Sequence, residues 1–297
     1  MNSNRFQYVF IALCLLGALL TWRALLTTFS LAWRDEQYTH ILLIIPFALA
    51  MAWLQWKKGP GPRSQFHAWR FIVLGLAGVL AAATLWAISA EAADVKLALS
   101  MIALVLWWIG AFISCFGTEF AYSLLFPLCF LLWLIPFPQS VLYGLIHALQ
   151  VGSAISARLL FEAVGTPVMQ QGVRLMIPGL TLEVATECSS IRSSMILIVT
   201  TMVVGQIVLR SPWRKLLLVF VAIPICVAKN GLRIFTIAML GTHVDSAYLT
   251  GRLHRQGGPV FLAIALAAIF VFLWILRRGE RPADSTSTEF VTREARA

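Results

Sequence analysis

Apolar residues in this chain come in long blocks separated by short polar stretches. The blocks at 6–22, 41–56, 71–90, 97–116, 122–135, 189–209, 216–240 and 258–276 contain no charged residue other than Arg192, Lys229 and Arg233. A helix needs about 20 apolar residues to cross a hydrocarbon core roughly 30 Å thick, so these blocks read as membrane spans with soft ends. A further block, 141–163, contains His147, Gln150, Arg158 and Glu162 and is the most polar. From 164 to 187 the pattern changes. Gly165, Pro167, Gly172, Pro178 and Gly179 separate two short apolar runs, Val168–Met176 and Leu180–Val184, which predicts a short hairpin. Residues 282–297 are polar and read as a disordered tail after a single multi-pass domain at 1–281.

The basic residues orient the spans. Lys57, Lys58, Arg63 and Arg70 mark 57–70 as cytoplasmic, Arg210, Arg214 and Lys215 mark 210–215 the same way, and Arg277, Arg278 and Arg281 place the C-terminal end inside. The segment with Glu91 and Asp94 fits the outside. Two cytoplasmic segments must be separated by an even number of crossings, yet five blocks lie between 70 and 210. The most polar, 141–163, is therefore expected to lie on the outer face as an amphipathic or re-entrant helix. The expected fold is an all-α polytopic membrane protein of about eight transmembrane helices, with both termini inside, an outer amphipathic helix and a short outer hairpin.

Composition agrees. The chain is 60% hydrophobic and 12% charged, with a mean hydropathy of +0.83, against about 25% charged residues in soluble domains. The net charge of +10 would suit a nucleic-acid binder, but the basic residues sit in short loops and the tail. That distribution is the positive-inside signal, and no nucleic-acid partner is expected. Thr21-Trp22-Arg23 follows the first span in place of a small-residue cleavage site, so the span is expected to stay in a cell membrane uncleaved.

Five cysteines are present, and Cys14, Cys115, Cys129 and Cys226 lie in apolar runs, where a thiol acts as a small hydrophobe. Cys188 differs: in Glu187-Cys188-Ser189-Ser190-Ile191-Arg192 it stands where a polar loop turns into a span. A helix N-terminus offers free N–H groups and partial positive charge, which lower a thiol pKa and suit a developing oxyanion. Arg192, one turn on, adds charge. The span before Arg210 places Cys188 at the outer surface. Arg233, 17 residues into the next span from Leu216, comes to roughly 25 Å of depth, near the same edge. His254 lies in the outer loop 241–257 and His40 in the first outer loop. Arg233 stays protonated and can stabilise an oxyanion or hold a carboxylate. His254 can carry protons near neutral pH. Together these parts suit acyl transfer through a thioester. The plainer alternative is that Lys229, Asn230 and Arg233 anchor a span by reaching for the headgroups. There is no HExxH, no GxSxG at a helix start and no spacing that supports metal ligation by His40, Cys188 and His254, so neither metal nor cofactor is expected.

Three blocks, Glu187-Cys188-Ser189-Ser190-Ile191-Arg192, Asn230-Gly231-Leu232-Arg233 and His254 with Gly258, resemble the signature blocks of the exosortase/archaeosortase family. Tyr38-Thr39-His40 resembles the family's N-terminal Tyr-Ser-His block, and Pro136-Phe137-Pro138 its Pro-x-Pro stretch. The resemblance extends over about 33–276. It implies a transpeptidase-like membrane cysteine protease of the bacterial inner membrane, with its active site facing the periplasm. Its partners would be exported proteins whose C-terminal sorting signal combines a short motif such as Pro-Glu-Pro, a transmembrane helix and a basic cluster, together with membrane lipids. By carry-over Cys188 forms the acyl-thioester, Arg233 is the proton donor and His254 the transition-state stabiliser. On physical grounds the last two roles are better exchanged. Asn230, His40 and Glu187 support the site or bind substrate. Ser190 stands where the family usually has glycine. The alternative is a polytopic transporter or a membrane acyltransferase of envelope polysaccharide or lipid. A transporter would place polar groups near the bilayer midplane, whereas here they gather at the outer edge.

Overall fold

The computed structural model describes residues 3–56, 78, 93–184, 191–250 and 257–280. The expected span at 71–90, the basic loop 57–70 and the tail 282–297 lie outside them. The described chain is mainly helical: α1 (Ser3–Leu20), α2 (Trp22–Arg34), α3 (Ile41–Trp56), α4 (Ala93–Phe116), α5 (Thr118–Ser123), α6 (Leu125–Phe130), α7 (Gln139–Ala163), α8 (Ile191–Val208), α9 (Pro212–His243), α10 (Ala247–Thr250) and α11 (Gly258–Arg278). A small sheet of β1 (Met169–Gln171), β2 (Arg174–Ile177) and β3 (Leu180–Glu183) lies between α7 and α8. Among the described residues, six helices are long and apolar enough to cross a membrane: Glu36–Trp56, Ala93–Phe116, Gln139–Ala163, Ile191–Val208, Pro212–His243 and Gly258–Arg278. The chain is a multi-pass membrane protein. It divides into two compact units, Met1–Ala148 and Leu149–Ala297, with the boundary inside α7.

In the first unit α1 runs along α4. Trp107 Nε1 donates to the Leu13 carbonyl at 2.8 Å and Trp108 Nε1 to that of Cys14 at 3.3 Å, so both indole N–H groups are satisfied inside an apolar contact. One end of the unit is aromatic: Phe10, Phe112, Phe116, Phe120 and Trp56 pack mostly edge to face. At the other end the Tyr38 hydroxyl donates to the Phe137 carbonyl at 2.9 Å, and Asp94 Oδ2 accepts the Gln139 N–H at 2.8 Å.

Two expectations are corrected here. The first outer loop, expected to follow residue 22, is largely helix: α1 and α2 meet at a 76° bend. In α2, Arg23, Thr27, Ser30 and Arg34 recur every three to four residues, the period of one helix face. The block 122–135 is not one continuous helix, for α5 ends at Ser123, α6 begins at Leu125, and a 3₁₀ turn follows at Leu131–Leu134. Pro127 is the cause, since its ring excludes the carbonyl of Ser123 four residues before it. These short pieces nevertheless carry the chain from the aromatic end back to the end that holds Asp94.

In the second unit α8, α9 and α11 share a core of Leu197, Leu218, Ala222, Cys226, Ala265, Ile269 and Leu273. Their basic ends interlock. Arg214, in the first turn of α9, donates to the Leu276 and Gly279 carbonyls at the end of α11, both at 2.6 Å. Glu280 in turn accepts the N–H groups of Arg210 at 2.9 Å and Ser211 at 2.9 Å, ahead of α9. Each charged side chain thus meets the helix end of opposite partial charge. α7 ends in a Schellman turn: the Gly165 N–H bonds the Glu162 carbonyl at 3.0 Å, the Thr166 N–H bonds that of Phe161 at 2.9 Å, and Gly165 takes φ +76°, where a side chain would be strained. The expected hairpin has a third strand. β1 pairs antiparallel with β2, and β2 with β3, because both Gly172-Val173 and Pro178-Gly179 reverse the chain. The sheet packs Leu175, Ile177 and Val184 against Ala154, Ala157 and Phe161 of α7 and Ala238 of α9.

α7 was expected to lie on the outer face, yet at 25 residues it has the length and composition of a span. Its buried positions, Leu142, Ile146, Ser153, Ala154, Ala157 and Phe161, form one stripe, while His147 on another face is exposed.

Candidate functional site

Among the described residues of the second unit, the buried polar side chains other than hydroxyls gather on one stretch of α9. Lys229, Asn230 and Arg233 are 5%, 1% and 8% exposed. Lys229 and Arg233 are one turn apart and share a helix face. Arg233 is about 32 Å along α9 from Pro212, near the far edge of a hydrocarbon core roughly 30 Å thick. Each neighbour has a defined role. Lys229 Nζ donates to Ser193 Oγ in the first turn of α8. Cys226 Sγ lies 3.8 Å from the Ser194 carbonyl, in the same turn. Asn230 Nδ2 donates to Ser153 Oγ on α7 at 2.9 Å. Gly231 lets α7 approach, since a Cβ there would lie 2.5 Å from Ser156 Cβ and 2.9 Å from the Ala157 nitrogen.

α9 therefore presents Lys229 to the first turn of α8 and is registered against α7 by an amide–hydroxyl bond and a glycine contact. That burial is the opposite of snorkelling, in which the charged head would leave the protein for water. A cation beside the N-terminus of α8 adds to its partial positive charge. Such a place favours a negatively charged group.

The described residues on either side of 185–190 are anchored. The Val184 N–H bonds the Val173 carbonyl at 3.0 Å, and the Val184 carbonyl accepts Gln150 Nε2 at 2.7 Å. Ile191 is buried at the start of α8. Glu187 and Cys188 lie between these anchors, outside the described residues, and so does His254. Arg192 is exposed in the first turn of α8. His40 belongs to the first unit, where it is buried with its ring edge-on to Trp133 at 6.3 Å between centroids. With the Tyr38–Phe137 bond, this joins Tyr38-Thr39-His40 and Pro136-Phe137-Pro138 into one packed corner.

The structure thus brings Lys229 to the turn that begins with Ile191 and Arg192, with Arg233 buried one turn farther along α9 and Asn230 turned to α7. Sequence reasoning passed over Lys229 as a positional companion of Arg233. Its signal was available: a lysine and an arginine at i and i+4 in an otherwise apolar span. Ser153 and Ser156 were missed because nothing local distinguishes them from other small residues of α7.

A family model described as transmembrane exosortase (Exosortase_EpsH) matches residues 32–271, most of the chain. No curated protein and no solved structure matches it.

Proposed function

Since this chain belongs to the transmembrane exosortase family, we propose that it is a membrane-embedded cysteine transpeptidase that removes the C-terminal sorting signal of exported proteins. Its setting is the bacterial inner membrane, with eight spans, both termini inside and α7 on the outer side. The substrate's C-terminal helix docks among the spans and presents its motif at the outer surface. The Cys188 thiolate attacks the scissile carbonyl carbon. Arg233 and the N–H groups leading into α8 hold the oxyanion. His254 protonates the departing amine as the C–N bond breaks, leaving an acyl-thioester. Water or an acceptor amine then gives up a proton to His254 and attacks the thioester, and departure of the sulfur restores the Cys188 thiolate and the protonated His254. Asn230 keeps α9 in register so that Arg233 meets the oxyanion, and Glu187, Arg192 and His40 support the site or the substrate.

The observation that carries this proposal is the burial of Lys229 against the first turn of α8, three residues beyond Cys188 in sequence, with Arg233 buried one turn farther along α9. Burying cations is costly, and evolution keeps them in a membrane where they have charge to stabilise.

The test is cleavage of a cognate protein that ends in a short motif, one apolar helix and an Arg-rich tail, expressed with the enzyme in membranes. Cys188→Ala is expected to leave the C-terminal helix attached while the enzyme stays folded. Continued removal of that helix by Cys188→Ala would overturn the proposal.

A further inference from the structure

The first unit contains a cavity of about 770 Å³ under α2, and none of the residues assigned above to the transfer chemistry is among those that line it. Arg23, Thr27, Asp94, Lys96 and Ser100 line it, with Leu20 and Leu31 as its apolar wall. A second hollow of about 440 Å³ shares Thr27 and Leu31 and continues along α2 to Arg34. The pair follows the polar stripe Arg23, Thr27, Ser30 and Arg34.

Most polar groups of the cavity are already engaged. Thr27 Oγ1 donates to the Arg23 carbonyl at 2.9 Å, Ser100 Oγ to that of Lys96 at 2.8 Å and the Tyr38 hydroxyl to that of Phe137 at 2.9 Å. Asp94 Oδ2 accepts the Gln139 N–H. The cationic donors of the lining are Arg23, whose guanidinium lies over the Trp22 ring at 5.6 Å from its centroid, and Lys96, and neither forms an ion pair among the described residues. Two such donors select an anion rich in oxygen acceptors. The face of α2 next to the polar stripe exposes Trp22, Leu26 and Trp33, four and seven residues apart and so on one side of the helix. Exposed tryptophans on an amphipathic helix bent 76° from an apolar one mark a helix lying in the membrane interface. The mouth of the cavity is then at headgroup depth, and its volume suits a headgroup with the glycerol below it.

We propose that this cavity binds the phosphodiester headgroup of an anionic phospholipid, with Arg23 and Lys96 holding the phosphate and Leu20 and Leu31 receiving the glycerol and upper acyl chain. A free phosphate would have no use for the apolar wall or the lipid-facing tryptophans. The bound lipid would tie α2 to the interface and hold the bend at Thr21.

Native mass spectrometry of the full chain in detergent tests this, with phosphatidylglycerol and phosphatidylcholine of identical acyl chains offered together. Preferential retention of phosphatidylglycerol is expected, and R23Q/K96Q should reduce that preference on the order of 10- to 30-fold. Thr27→Trp, which fills the cavity and keeps both cations, should reduce it as well, with helicity by circular dichroism unchanged in both variants. Equal retention of the two lipids by the unmodified chain would overturn the proposal. So would undiminished preference in R23Q/K96Q, or displacement of the lipid by an equal concentration of glycerol 3-phosphate or of a glutamate-rich peptide.

Discussion

Gly231 and Lys229 sit two residues apart on α9, and the structure gives each a different reason to be there. Gly231 is a contact: Ser156 and the Ala157 nitrogen occupy the space a side chain would need. Gly231→Ala is expected to cost about 1–3 kcal/mol through overpacking, seen as a lower thermal midpoint in detergent. Adding Ser156→Gly should recover part of that loss, because it removes the Oγ and Cβ but not the Ala157 backbone. Lys229 is a buried charge one turn from Arg233, bonded to Ser193. Lys229→Met keeps the stem and removes the ammonium. Replacing a buried ion by a packed apolar group is often neutral or stabilising, so the thermal midpoint should hold or rise. Cleavage of the cognate substrate should fall by about tenfold or more, the equivalent of about 1.4 kcal/mol of transition-state stabilisation. Unchanged cleavage would make Lys229 a packing residue. The sequence marks Arg233 and Cys188 because charge and thiol are conspicuous in apolar surroundings. It does not mark Ser153 or Ser156, whose importance comes only from what they face.

At the level of elements, the basic ends of α9 and α11 explain more than orientation. Backbone N–H groups of Ser211 and Arg210, with the nearby guanidinium of Arg214, hold the Glu280 carboxyl below its ordinary value of 4.5. A depressed folded value means that the stabilisation is present above 4.5 and is lost as the pH falls through the folded value. Glu280→Gln should therefore lower the thermal midpoint slightly near neutral pH, since the group is exposed and screened. The gap between variant and unmodified chain should close as the melts are repeated at progressively lower pH. A gap that persists in acid would mean that the carboxylate charge contributes nothing. α7 makes a second prediction. With α7 on the outer side, cysteines placed at Gln139 and Val164, in a chain lacking its native thiols, should both react from outside with a membrane-impermeant maleimide. Labelling of Val164→Cys only after the cells are permeabilised would mean that α7 crosses. Hydropathy cannot separate these cases, because a one-sided helix and a span have the same average when the polar residues are few.

For the whole molecule, the local signals were sufficient for the class. A block of apolar residues is unfavourable in water wherever it occurs, so the blocks that became α3, α4, α8, α9 and α11 could be read one at a time. The clustering of basic residues likewise needs no partner to be informative. The signature blocks around Cys188, Arg233 and His254 could be read the same way as a resemblance, and the family match over 32–271 agrees with the family they resemble. Tertiary structure decided the rest. It bent the chain by 76° between α1 and α2 with a cavity beneath α2, broke 122–135 at Pro127, added a third strand ahead of Cys188 in sequence, and buried Lys229 and Asn230 against serines of α8 and α7. Hydropathy is a property of a segment, and the sequence by itself determined that the chain is a multi-pass membrane protein and which residues stand out chemically from their apolar surroundings. A buried hydrogen bond, a cavity and a close helix approach are properties of pairs distant in the chain, and only packing brings those pairs together.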